Sequence, residues 1–134
     1  MHADEPRTIL IADDDAPFTA ALSARLNKLG YTTVIAHDGY MALDAAIKHQ
    51  PDLLILDVNM PAGNGFSVLE RMRNNESLPP IPLIIVSGDN TASLRALAHQ
   101  HGAFSFLGKP FESGELVKCV RQALHEERIE IPSV

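Results

Sequence analysis

Short apolar runs alternate with amphipathic stretches along the chain. Thr8 to Ala12, Asp52 to Leu56, Leu83 to Val86 and Phe104 to Leu107 are brief and nearly unalternated, the pattern of parallel strands covered on both faces. Thr32 to Ala36 reads as a further short strand. Between them lie helical patterns. Pro17 suits a first helical turn, Phe18, Leu22, Leu26 and Leu29 share one face, and Gly30 supplies a left-handed stop. Asp38-Gly39 leads into a second helix with Leu43, Ala46 and Ile47 inward, closed before Pro51. Asn59 to Gly65 is a loop by composition. A third helix turns Val68, Leu69 and Met72 inward, and Pro79-Pro80-Ile81-Pro82 is a stiff entry to the fourth strand. The fourth helix is expected from about Thr91 to Gln100 on Leu94, Leu97 and Ala98, with Gly102 as its stop. The fifth begins near Glu112 and carries Leu116, Val120, Ala123 and Leu124. Strand and helix alternate throughout, which predicts an α/β fold on a mostly parallel sheet.

A length of 134 residues fits one domain with a real core. Five strand–helix units use nearly all of it, so a single domain over 1–134 with its core at 7–127 is expected, without a DNA-binding module. No internal repeat or low-complexity segment interrupts it. The 46% hydrophobic and 21% charged residues are ordinary for a globular protein. The single cysteine, Cys119, excludes an internal disulfide framework, fits a reducing cytoplasm and reads as packing on the last helix. No apolar run approaches the roughly 20 residues of a membrane helix, and the first residues do not read as a signal peptide. The expectation is a cytoplasmic protein without membrane contact. A formal charge of −6 argues against direct nucleic-acid binding by this domain.

The candidate chemistry sits where the strands end. Asp13-Asp14-Asp15 follows the first strand, Asp57 the third, Ser87 the fourth and Lys109 the fifth. Ligands of open α/β sheets bind in the crevice beyond those carboxyl ends. Carboxylates there suit magnesium, a hard cation that prefers oxygen ligands. Asp14 and Asp57 would each give an oxygen, a backbone carbonyl at Asn59 a third, and Asp13 would act through water. Without a cation the clustered carboxylates repel one another. Asp57 reads as a nucleophile that accepts a phosphoryl group as an aspartyl phosphate. Ser87 would donate to one phosphoryl oxygen and Lys109 would neutralise another. Other polar residues have plainer roles: Asp15 as a helix cap, His99 and His101 against a helix dipole. Cys119 lacks partners at zinc-ligand spacing.

Ile9-Leu10-Ile11-Ala12-Asp13-Asp14-Asp15, Leu56-Asp57-Val58-Asn59-Met60-Pro61, Val86-Ser87-Gly88 and the stretch Gly102 to Phe111, with its Gly108-Lys109-Pro110-Phe111 ending, resemble the response-regulator receiver domain of two-component signalling. The likeness runs in order and spacing from about Arg7 to Glu127. It implies a flavodoxin-like, doubly wound (βα)5 fold like that of chemotaxis regulators, with a five-stranded parallel sheet in the order 2-1-3-4-5. It implies Asp57 as phosphoacceptor, Asp13 and Asp14 as the acidic pair, Lys109 as the family's lysine and Ser87 at its hydroxyl position. Phe106 takes the aromatic switch position, and a cis peptide before Pro110 is common in the family. The cofactor implied is Mg2+ (or Mn2+), with the domain supporting its own phosphorylation and dephosphorylation rather than acting as an enzyme. The implied partners are a sensor histidine kinase or histidine phosphotransfer protein and a downstream effector that reads the surface of the fourth helix, fifth strand and fifth helix. Ser105 and Gly108 replace residues often acidic in relatives, away from the chemistry, and Ser87 lacks a threonine's methyl.

Two other readings differ in class. A phosphatase of the haloacid-dehalogenase type also uses a strand-end aspartate with a second two residues on, then a hydroxyl and a lysine, roles open to Asp13, Asp15, Ser87 and Lys109. Ala16-Pro17 is not its expected continuation, and it leaves Asp57 and Met60-Pro61 unexplained. A receiver-like module that only binds partners would have lost an acidic residue or the lysine, and none is lost.

Overall fold

Successive side chains of a strand point to opposite faces of a sheet, and here both faces are covered. The computed structural model describes residues 5–60 and 65–125. Its order is β1 (Thr8–Ala12), α1 (Ala16–Lys28), β2 (Thr32–Ala36), α2 (Gly39–His49), β3 (Leu53–Asp57), α3 (Gly65–Arg73), β4 (Leu83–Ser87), α4 (Ala92–Gln100), β5 (Ser105–Gly108) and α5 (Ser113–Ala123). The five strands are parallel in the order β2-β1-β3-β4-β5. Leu10, Leu54, Leu56, Leu83 and Ile85 pack with residues of α2, α3 and α4. Ile9, Ile11, Leu53, Ile55, Ile84 and Val86 pack on the other side with α1 and α5. Every residue of β3 and β4 is buried, which explains their unalternated sequence.

Two strands lie one residue later than the hydrophobic runs suggest. Asp52 leaves β3, its carboxylate accepting the Thr8 N–H at 2.7 Å, while Asp57 joins it and pairs with Val86. β5 runs Ser105–Gly108, with Ser87 opposite Gly108. The first shift puts Asp57 on the terminus of β3 itself, and the second ends β5 immediately before Lys109.

Among the described residues three helix starts carry a side-chain cap, including the Asp15 cap expected from the sequence, whereas Glu112 makes no such bond at the start of α5. Asp15 accepts the Phe18 N–H at 3.0 Å, and Thr91 accepts the Leu94 N–H at 3.1 Å. Asp38 caps α2 through the Met41 N–H at 2.8 Å. Gly30 and Gly102 adopt φ of 101° and 81°, the left-handed stops expected of them. The expected apolar stripes need correction at Leu29, Ile47 and Leu97, which are 38–39% exposed. α1 turns Thr19, Leu22 and Leu26 inward, and α2 and α4 approach through the small residues Ala42, Ala46 and Ala98. Ile47 and Leu97, each one position from that seam, are left at the rim, while Leu29 follows the last residue of α1 as its C-cap. α3 and α5 bury the residues expected of them. Among the described residues no helix is long and apolar enough to cross a membrane.

Candidate functional site

At the carboxyl edge of the sheet β1, β3, β4 and β5 end side by side, and their last residues converge. Asp13 is completely buried directly after β1. Its Oδ1 accepts the Asp15 N–H at 3.0 Å and its Oδ2 the Lys109 ammonium at 2.7 Å. Asp57 ends β3 at 6% exposure. Its Oδ1 accepts the Asn59 N–H at 3.0 Å, and its Oδ2 lies 3.5 Å from Lys109 Nζ. Asp14 stands exposed at the mouth, and Asp13, Asp14 and Asp57 each place an oxygen within 4.8 Å of the other two.

This crowding sets the electrostatics. Burial raises the Asp57 carboxyl above its ordinary value of 3.8; the Asn59 N–H opposes that, Asp13 adds to it, and Lys109 partly offsets it. Burial lowers the Lys109 ammonium, yet the hydrogen bond and charge of Asp13, followed by Asp57, outweigh it and hold its pKa above 10.5. A lysine and three carboxylates thus leave a net negative cluster of hard oxygen donors, a set that fits magnesium or manganese. Asn59 is anchored by its backbone N–H to the carboxylate it follows, next to where its carbonyl was expected to serve.

Lys109 is fixed by more than charge. Its backbone N–H donates to the Ser87 carbonyl at 2.7 Å, and the peptide to Pro110 is cis, as the resemblance implied. The ammonium also lies 4.4 Å from the centroid of the Phe18 ring.

Ser87 is brought to the site but faces along its edge. Its Oγ accepts the Asp89 N–H at 2.9 Å and the Asn59 side-chain amide at 3.2 Å. Phe106 is half-buried against the α2–α4 side of the core, with the Arg95 guanidinium 4.8 Å above its ring. Arg95 Nε in turn donates to Asn90 Oδ1 at 2.6 Å. Gly108 is closer to this machinery than its sequence suggests: a Cβ there would lie 2.8 Å from Asn90 Nδ2.

Phe18, Asn90, Arg95 and the Asn59 amide are therefore additions to the residues found by sequence. Phe18 was legible only as part of an apolar face. Asn90 and Arg95 lie over β5 because β4 and β5 are parallel neighbours, a proximity that appears once strand order is known.

The profile of the response regulator receiver domain matches residues 9–121. The chain is 34% identical over 122 residues to the response regulator MprA of Mycobacterium ulcerans (strain Agy99), covering 91% of this chain and 52% of that protein. It is 37% identical over 116 residues to the transcriptional regulatory protein CpxR of Escherichia coli (strain K12), covering 87% and 48%. The chain thus spans about half the length of these relatives. Among solved structures, the receiver domain of the sensor histidine kinase PA1611 from Pseudomonas aeruginosa PAO1, with magnesium in its active-site cleft, superposes with a TM-score of 0.80 at 25% identity. That match covers 90% of this chain and 98% of that one.

Proposed function

The chain belongs to the response regulator receiver domain family of two-component signalling, and from that premise we propose that Asp57 accepts the phosphoryl group and that the state of Asp57 sets what a partner binds. The observation that carries this reading is the placement of Asp57 at the end of β3, nearly buried, between the Lys109 ammonium and the acidic pair Asp13 and Asp14.

The donor is a phosphohistidine of a sensor kinase or phosphotransfer protein. An Asp57 oxygen forms the bond to phosphorus as the donor's phosphorus–nitrogen bond breaks, and the imidazole leaves with the electron pair. Asn59 N–H holds one Asp57 oxygen at 3.0 Å and so fixes the carboxylate plane for in-line approach. Lys109, already 3.5 Å from the other oxygen, meets the charge carried in by the phosphoryl group. Asp13, Asp14 and Asp57 would hold magnesium or manganese, with a carbonyl at Asn59; when bound, the ion supplies positive charge against the phosphoryl oxygens. Hydrolysis returns Asp57 to its free carboxylate in the same site.

Ser87 then has a new acceptor within its loop's reach. Turning toward it means leaving the Asn59 amide and the Asp89 N–H, and the β4–α4 segment moves with it. Phe106 and its cover, Arg95, sit against that segment, so the face of α4, β5 and α5 differs between states and a downstream effector can discriminate them. The acidic charge supports a domain that does not itself hold nucleic acid. The relatives are longer and one is named a transcriptional regulatory protein, so that part of the proposal concerns this domain alone. The lone cysteine supports a cytoplasmic setting.

Incubation with acetyl phosphate and magnesium should add one phosphoryl group by intact mass, mapped to Asp57 and absent in Asp57→Asn. Phosphate found on Asp13 or Asp15 would instead favour phosphatase-type chemistry.

A further inference from the structure

Lys109 has to do two things that conflict. Its ammonium must stay beside Asp57, yet a tight ion pair with Asp13 at 2.7 Å restrains it from turning to an incoming phosphoryl oxygen. A neutral partner resolves the conflict, since it can hold a cation near the site without neutralising it. The Phe18 ring is such a partner. Its centroid lies 4.4 Å from Lys109 Nζ, inside the range of about 6 Å over which a ring face attracts an ammonium. The ring also takes the place of water beside an ammonium whose side chain is only 21% exposed, so less water screens the ammonium from an arriving phosphoryl oxygen.

Phe18 is held at both its backbone and its ring. Its backbone N–H is tied at 3.0 Å to the α1 cap, Asp15. Its ring packs T-shaped with that of Phe111, two residues after Lys109, at a centroid distance of 5.9 Å and an angle of 87°. A plain packing residue would need none of this registration; leucine would serve.

We propose that Phe18 is a positioning residue for phosphoryl uptake, its ring face holding the Lys109 ammonium over Asp13 and Asp57. The proposal rests on the reading of Asp57 as phosphoacceptor. Phe18→Leu keeps apolar bulk and removes the face, whereas Phe18→Tyr keeps the face. With acetyl phosphate and saturating magnesium, Phe18→Leu should take up phosphoryl groups about 2- to 30-fold more slowly than wild type, the rate effect of a cation–π contact of about 0.5–2 kcal/mol. Phe18→Tyr should remain within about twofold of wild type, because its face carries the same attraction. Equal rates for wild type and Phe18→Leu overturn the proposal. So does equal slowing of the leucine and tyrosine variants, which would mean that ring fit rather than the face matters. NMR relaxation of Lys109 Nζ in unphosphorylated protein separates this proposal from the one beneath it. A more mobile ammonium in Phe18→Leu supports the role of Phe18, and an unchanged one overturns it. A wild type that accepts no phosphoryl group overturns the assignment of Asp57.

Discussion

Asp57 carries its charge where little water reaches it, and the fold bears that cost. Because burial raises its pKa in the folded state, its contribution to stability is present below its ordinary value of 3.8 and is lost as pH rises through the folded value. At neutral pH the ionised carboxylate therefore works against folding. Asp57→Asn should melt at a higher temperature than wild type at pH 7 without divalent cations, and that advantage should vanish in acid. A variant that melts lower at pH 7 would contradict the electrostatic account. Lys109 follows the same rule in a different pH window: its raised pKa stabilises the fold below 10.5 and this is lost in alkali as pH rises through the folded value, so at neutral pH its charge favours folding. At this scale the sequence made legible which polar residues stand at or just after the strand ends, as Asp13, Asp57, Ser87 and Lys109 do. It was unreadable where a role depends on side-chain direction across elements. Phe18 has the spacing of a core residue, and its proximity to Lys109 emerges only once α1 and the segment after β5, with Phe111, are placed on the same face of the sheet.

The β4–α4 loop and the start of α1 are the elements on which site geometry depends. Asp15 fixes the first turn of α1 by accepting the Phe18 N–H, so Asp15→Ala should cost about 1 kcal/mol of stability in denaturant unfolding. At β4, Ser87 is engaged by Asn59 and Asp89. Ser87→Ala removes the hydroxyl and leaves the nucleophile and the carboxylates in place. It should still be phosphorylated at Asp57, while the response of Thr91 to Leu107 to beryllofluoride, read by amide exchange, should be smaller than in wild type. An equal response would place the coupling elsewhere than Ser87. Element existence was legible from apolar periodicity and caps. Boundaries were not: Asp52 and Asp57 differ little as residues, and pairing with Val86 rather than hydrophobicity decides which of them belongs to β3. Ile47 and Leu97 were misplaced because the small residues Ala46 and Ala98 beside them take the close seam, a choice that depends on packing distance more than on apolar character, and Leu29 because α1 ends before it and leaves it as the C-cap.

Across the whole molecule, the two-sided core and the acidic site depend on the same strands in opposite ways. Near-continuous apolar runs made the covered parallel sheet legible, whereas the order β2-β1-β3-β4-β5 came from the family likeness, since no residue by itself encodes which strands are neighbours. That order stacks Leu54, Leu56 and Ile85 into the middle of the fold and, at the ends of the same strands, gathers Asp13, Asp14 and Asp57 within 4.8 Å. The charge repulsion created there is borne by the sheet, so relieving it should stabilise the entire domain rather than one loop. A cation that binds the folded state alone contributes about 2.7 kcal/mol when its free concentration is about 100 times its dissociation constant. For a domain of this length a change of 1 kcal/mol moves the midpoint by about 2–8 °C, so excess magnesium should raise the melting temperature measurably over a chelated sample. Asp14→Ala removes one donor at the mouth while leaving Asp13 and Asp57 in place, and its magnesium shift should be smaller than that of wild type. Coincident wild-type melts with magnesium and with chelator would remove the metal from the proposed function, and an undiminished shift in Asp14→Ala would remove Asp14 from its ligands.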